Sequence, residues 1–71
     1  MEEMFKRYVT IQFSGIYNMI TDAYKVMDMT KIKSDDYCYI QNHYRSLKTE
    51  YPKAYEDGMK AGKEIQEKVY N

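Results

Sequence analysis

Tryptophan is missing from these 71 residues, and cysteine, histidine and proline occur once each, at Cys38, His43 and Pro52. A lone thiol closes no disulfide within the chain, so the fold has no covalent staple and suits a reducing compartment. Cys38 and His43 stand five apart, a spacing that does not share one helical face, and a pair of ligands does not make a metal centre. An excess of either charge is lacking too, with 11 basic residues against 11 acidic ones. That balance argues against a strong nucleic-acid footprint and against an acidic mimic of DNA. No apolar run approaches the ~20 residues of a membrane span. The opening Met1-Glu2-Glu3, with Lys6 and Arg7 inside the first apolar stretch, does not read as a secretion signal. A soluble, cytoplasmic chain is expected.

Catalytic constellations are equally scarce. His43 and Ser46 lie one helical turn apart, but no carboxylate is placed to orient the imidazole and no oxyanion turn follows. Asp35 and Asp36 suit the positive end of a helix without invoking a metal. Gly58 and Gly62 have no phosphate-loop pattern around them. No catalytic residue, metal or cofactor is expected, and the chain reads as a non-enzyme.

What is present in quantity is tyrosine and methionine, nine and six respectively. One reading is a core of tyrosine bodies whose hydroxyls reach water. The other is a protein-binding surface, where both residue types are enriched. The length fits one domain, residues 1–71, and a chain this short buries only about 60% of its unfolded surface. Helix packing, self-association or a partner must supplement so thin a core.

The first element is expected as one helix over residues 2–29. Val9, Phe13, Ile16, Ile20, Ala23 and Met27 recur at fours and threes, which stacks them on a single stripe. A local conflict is the alternation of Val9, Ile11 and Phe13 with Thr10 and Gln12, which reads as a short strand, followed by a possible break at Ser14-Gly15. A strand needs a partner strand and the chain offers none, so continuous helix is favoured. A second helix is expected over 34–51, with Ser34 as N-cap and a stripe of Tyr37, Ile40, Tyr44, Leu47 and Tyr51. Pro52 suits the first position of a third helix, 52–70. Its small residues Ala54, Gly58 and Gly62 define a helix-packing face that lets a neighbour approach closely. Glu56–Lys60 and Glu64–Lys68 mark its solvated face.

The expected architecture is therefore all-α: a small three-helix domain, one long N-terminal helix packed on an antiparallel helix pair. At 1.5 Å per residue a helix of about 27 residues overhangs helices of about 17 by several turns. The overhang leaves Met4, Phe5, Tyr8, Val9 and Ile11 uncovered, and these, with the outward Tyr39 and His43, form the expected partner interface. The leading functional expectation is a non-catalytic protein-interaction module that binds, and inhibits or modulates, a larger protein. Small chains of this character are encoded by phages and mobile elements against host enzymes or defence systems. A self-associating homodimer is one alternative. A nucleic-acid accessory protein using Lys31, Lys33, Arg45, Lys48 and Lys53 is the other, disfavoured because Asp35, Asp36, Glu50, Glu56 and Asp57 interrupt the positive field. No membrane partner is expected.

Overall fold

The computed structural model describes residues 1–70; Asn71, the end of the expected domain, lies outside the described residues. Among the described residues the chain is all-helical and has no strand, so residues 9–13 are helix. Five helices replace the expected three: α1 (Glu2–Ser14), α2 (Ala23–Thr30), α3 (Ser34–Asn42), α4 (Tyr44–Glu50) and α5 (Pro52–Tyr70).

The long first helix does not form because the Ser14-Gly15 step is a built stop. Gly15 takes a left-handed φ of 71°, open to a residue without a Cβ. Ser14, fully buried, donates its hydroxyl to the Ile11 carbonyl at 2.6 Å and accepts from the Ile16 amide at 3.3 Å. The same device closes α2. Thr30 donates to the Val26 carbonyl at 2.7 Å and accepts from the Ile32 amide at 3.4 Å, while Lys31 between them is left-handed at φ 61°. Ser14-Gly15-Ile16 and Thr30-Lys31-Ile32 are thus one motif used twice, a hydroxyl that turns back on its own helix beside a left-handed residue. The break dissolves the expected stripe: Ile16 is 37% exposed and Ile20 80% exposed.

The second expected helix is bent rather than whole. His43 sits between α3 and α4 with φ −120° and ψ 23°, yet its amide still donates to the Tyr39 carbonyl and its carbonyl accepts from Leu47. Lys33, not Ser34, occupies the cap: its carbonyl accepts the first bond, from Tyr37 at 2.8 Å. Tyr37, Ile40 and Leu47 are buried and Tyr44 and Tyr51 half-buried, so the stripe survives the bend. Pro52 opens α5 as expected.

The dominant contact is α1 against α5. Gly58 lies against Lys6 and Val9, Gly62 against Thr10 and Phe13, and Gly15 faces Gln66. Numbers rise together on both helices, so α1 and α5 run in the same direction; the chain returns through α2, α3 and α4. Ala54, Gly58 and Gly62, all buried, are the face of α5 turned to α1.

The core holds Phe5, Tyr8, Val9, Ile11, Val26, Ile32, Tyr37, Ile40, Leu47 and Ala54. Its aromatic part is a continuous chain of rings. Tyr37 meets Tyr8 at 5.2 Å, Tyr8 meets Tyr44 at 6.1 Å, and Phe5 meets Tyr44 at 5.6 Å. Tyr44 continues to Tyr55 at 6.3 Å and Tyr55 to Phe13 at 5.9 Å, with the Lys48 ammonium 4.6 Å from the Tyr55 ring centre. Tilted and edge-on contacts of this kind suit the ring quadrupoles. Much of the tyrosine content is therefore core.

Candidate interaction surface

The expected interface at the start of the chain is overturned. Without a long helix there is no overhang: α5, lying along α1, covers Val9, while Tyr37 of α3 and Tyr44 of α4 pack on Tyr8 and Phe5. Phe5 and Val9 are fully buried, Tyr8 and Ile11 nearly so, and Met4 is half-buried against the core. Tyr39 and His43 remain outside, their rings stacked at 4.2 Å and 17° on the surface of the α3–α4 bend. Cys38 is exposed as well.

The surface that sequence reasoning missed is the connection 16–22. It is irregular but heavily tied. Asn18 accepts from the amides of Ile20 and Thr21 at 2.9 and 3.0 Å, and Asp22 returns the favour by accepting from the Asn18 amide at 3.0 Å. The Asp22 amide donates to the Asn18 carbonyl at 2.9 Å. This reciprocal arrangement is a capping box laid over a single turn. From the other side, α3 holds the segment: the Tyr37 hydroxyl, at 2.6 Å, and the Gln41 amide, at 3.1 Å, both donate to the Met19 carbonyl.

A turn fixed at both ends thus carries Ile20 into solvent, 80% exposed, with Tyr24 one turn further at 87%. Beside Ile20 opens a shallow groove of about 410 Å³ lined by Tyr8, Gln12, Gln41 and Tyr44. The Tyr44 hydroxyl donates to Gln12 across it at 2.6 Å. No lining side chain carries a charge. Burial raises the pKa of Tyr44 to about 12, helped by neighbouring Tyr55. Burial likewise raises Tyr8, partly offset by the Gln41 amide. Both phenols are neutral donors at any physiological pH. The groove can offer phenol and amide hydrogen bonds around an apolar knob, and no group in it is poised for proton transfer near neutrality.

The legible signal for this surface was the spacing Asn18 to Asp22, an Asx residue four before an acid, set inside what reads as an unbroken apolar stripe. Elsewhere, among the described residues, no three His, Cys, Asp or Glu side chains come together, and no helix is long and apolar enough to cross a membrane. Of the basic residues weighed for nucleic acid, Lys31 pairs loosely with Asp28 and Lys48 is engaged over Tyr55.

The class that these features define is a small all-α domain with an aromatic core and a rigidly presented apolar turn. Compared with known families, curated proteins and solved structures, the chain finds no match in any of the three.

Proposed function

We propose that the protein is a non-catalytic interaction module that binds a larger protein through the 16–24 surface, with Ile20 as its anchor. The observation that carries the reading is the combination of an isoleucine 80% exposed with a backbone that is hydrogen-bonded on both sides. A large apolar side chain in water costs about 1.5–3 kcal/mol relative to burial, so a fold gains nothing by holding one out. Rigid presentation, however, removes most of the ordering cost that a flexible loop would meet on binding. The neutral groove beside it suits a partner segment that brings an apolar side chain and backbone amide and carbonyl groups. Inhibition or modulation of the partner follows if this contact covers the partner's own working surface.

The test compares tagged wild-type protein with Ile20→Asp and Tyr39→Asp in nuclease-treated lysate of the source organism. Ile20→Asp abolishes retention of a stoichiometric partner, and Tyr39→Asp leaves it. Equal capture by wild type and Ile20→Asp, or loss only with Tyr39→Asp, overturns the assignment of the surface. Light scattering on the purified chain reads the homodimer alternative separately: a mass of two copies that halves with Ile20→Asp would make the partner a second copy.

A further inference from the structure

A second groove, of about 330 Å³, lies on a different flank of α1, where the end of α2 crosses it. Its floor is apolar, built from Ile11 and Met29, with Thr10 and Thr30 alongside, and its rim carries two cations, Arg7 and Lys31. Neither cation is well satisfied by the chain itself. Arg7 stands 3.8 Å from Glu3 and Lys31 3.9 Å from Asp28, both beyond hydrogen-bond length, with all four side chains about half or more exposed. The Arg7 guanidinium reaches the Thr30 carbonyl only at 3.4 Å. Lys60, by contrast, meets Glu56 at 3.1 Å, so a closed ion pair is within this chain's means where the geometry favours one. Both threonine hydroxyls are already spent on their own helices, Thr10 on the Lys6 carbonyl and Thr30 on the Val26 carbonyl. The donors left over are cationic and line an apolar trough.

We infer that this groove takes an acidic–apolar peptide segment of a partner protein, its carboxylates on Arg7 and Lys31 and an aliphatic side chain over Ile11 and Met29. Charge complementarity selects the occupant: a basic or neutral segment would leave two loosely held cations facing it, whereas carboxylates supply the short, charge-assisted bonds that Glu3 and Asp28 do not make. The inference concerns a separate face and does not rest on the Ile20 surface.

The experiment is an amide-resolved NMR titration of the whole chain with a capped hexapeptide of alternating aspartate and leucine. The same peptide with asparagine for aspartate serves as control. Shifts centre on Arg7, Ile11, Thr30 and Lys31, weaken as salt is added, and are smaller with the asparagine peptide. Arg7→Gln and Lys31→Asn each weaken binding about tenfold, the loss of roughly one charge-assisted bond. Asparagine tolerates the left-handed backbone at position 31, so that variant removes the charge and keeps the turn. Absence of shifts at millimolar peptide, equal binding of the asparagine peptide, or shifts centred on Ile20 and Gln41 instead would each overturn the inference.

Discussion

Gly62 lies directly against the carbonyl of Thr10: a Cβ added to it would stand 2.5 Å from that oxygen and 2.7 Å from the Cβ of Phe13. Gly58 repeats the relation one turn earlier, 2.8 Å from the Lys6 carbonyl and 2.9 Å from the Val9 Cβ. Both obstacles are backbone or near-backbone atoms that no rotamer change can clear.

Gly62→Ala therefore destabilises the fold. Overpacking costs about 1–3 kcal/mol, against roughly 1 kcal/mol of helix propensity that alanine returns. The melting temperature falls by several degrees, since about 1 kcal/mol is worth roughly 4–8 °C in a domain this size. Gly58→Ala moves the same way by less, in line with its longer distances. A thermal melt of the two variants that shows either one stabilised would refute the close parallel packing of α1 on α5.

Lys31→Gly has the opposite sign. A lysine at φ 61° carries the steric penalty of the left-handed region, about 1–2 kcal/mol, that glycine does not. Part of that gain is returned as glycine's larger unfolded-state entropy. A net rise in melting temperature is expected, small but measurable by calorimetry.

Asn18→Ala removes the acceptor for the Ile20 and Thr21 amides. The loss of such a cap is worth about 1 kcal/mol. Global stability changes little because the segment is peripheral. Hydrogen exchange at Ile20 and Thr21 accelerates markedly, while amides within α5 keep their protection. Partner affinity through Ile20 drops with the loss of rigidity even though Ile20 itself is untouched.

Alkaline pH attacks the aromatic core. Burial pushes Tyr37 and Tyr44 up to about 12, and Tyr8 is raised in the same direction, from an ordinary value of 10.0. A phenol whose folded pKa exceeds its unfolded one stabilises the fold fully below the unfolded value and loses that contribution as pH climbs through the folded one. Stability thus holds up to about pH 10 and then declines toward pH 12, by up to about 1.4 kcal/mol per pH unit for each of Tyr37 and Tyr44, with Tyr8 acting in the same direction. Phenolate absorbance followed beside circular dichroism should show ionisation and unfolding as one transition. Tyr37→Phe shifts the onset upward while giving up the hydroxyl bond to Met19, a carbonyl that Gln41 still serves.

Substitution of Phe5 or Val9 by aspartate unfolds the protein, because each is fully enclosed. Truncation alone at such a phenylalanine costs about 3–5 kcal/mol, a large share of what a domain of this size has. Ile20→Asp leaves the melt unchanged. The contrast, read by circular dichroism, separates core from surface on adjoining parts of the chain.

Helical class, the stripe from Tyr37 to Tyr51, the opening of α5 at Pro52 and the small-residue face of α5 were all legible, because each rests on local periodicity or a residue with one strong preference. The break at Ser14-Gly15 was visible as a possibility and lost to the longer pattern. Phe13, Ile16, Ile20, Ala23 and Met27 keep helical spacing straight across it, yet Ile16 and Ile20 stand in water. Spacing alone could not reveal that a buried serine would satisfy the helix end, nor that α5 would return alongside α1 to cover Val9 while Tyr44 packs on Phe5. Those are tertiary facts, and the interface drawn on the uncovered start of the chain fell with them. His43 was read correctly as a surface residue, but its place at a bend was not, since the hydrogen-bond ladder runs on through it.

The pairing of α1 with α5 also sets an order of events. Lys6 and Val9 meet Gly58, and Thr10 and Phe13 meet Gly62, about fifty residues further along. Closing so long a loop must be completed before its contacts reward it. During synthesis the face of α1 that carries Val9 and Phe13 stays without its partner until Gly58 and Gly62 of α5 have left the ribosome, though Phe5 and Tyr8 meet Tyr37 and Tyr44 sooner.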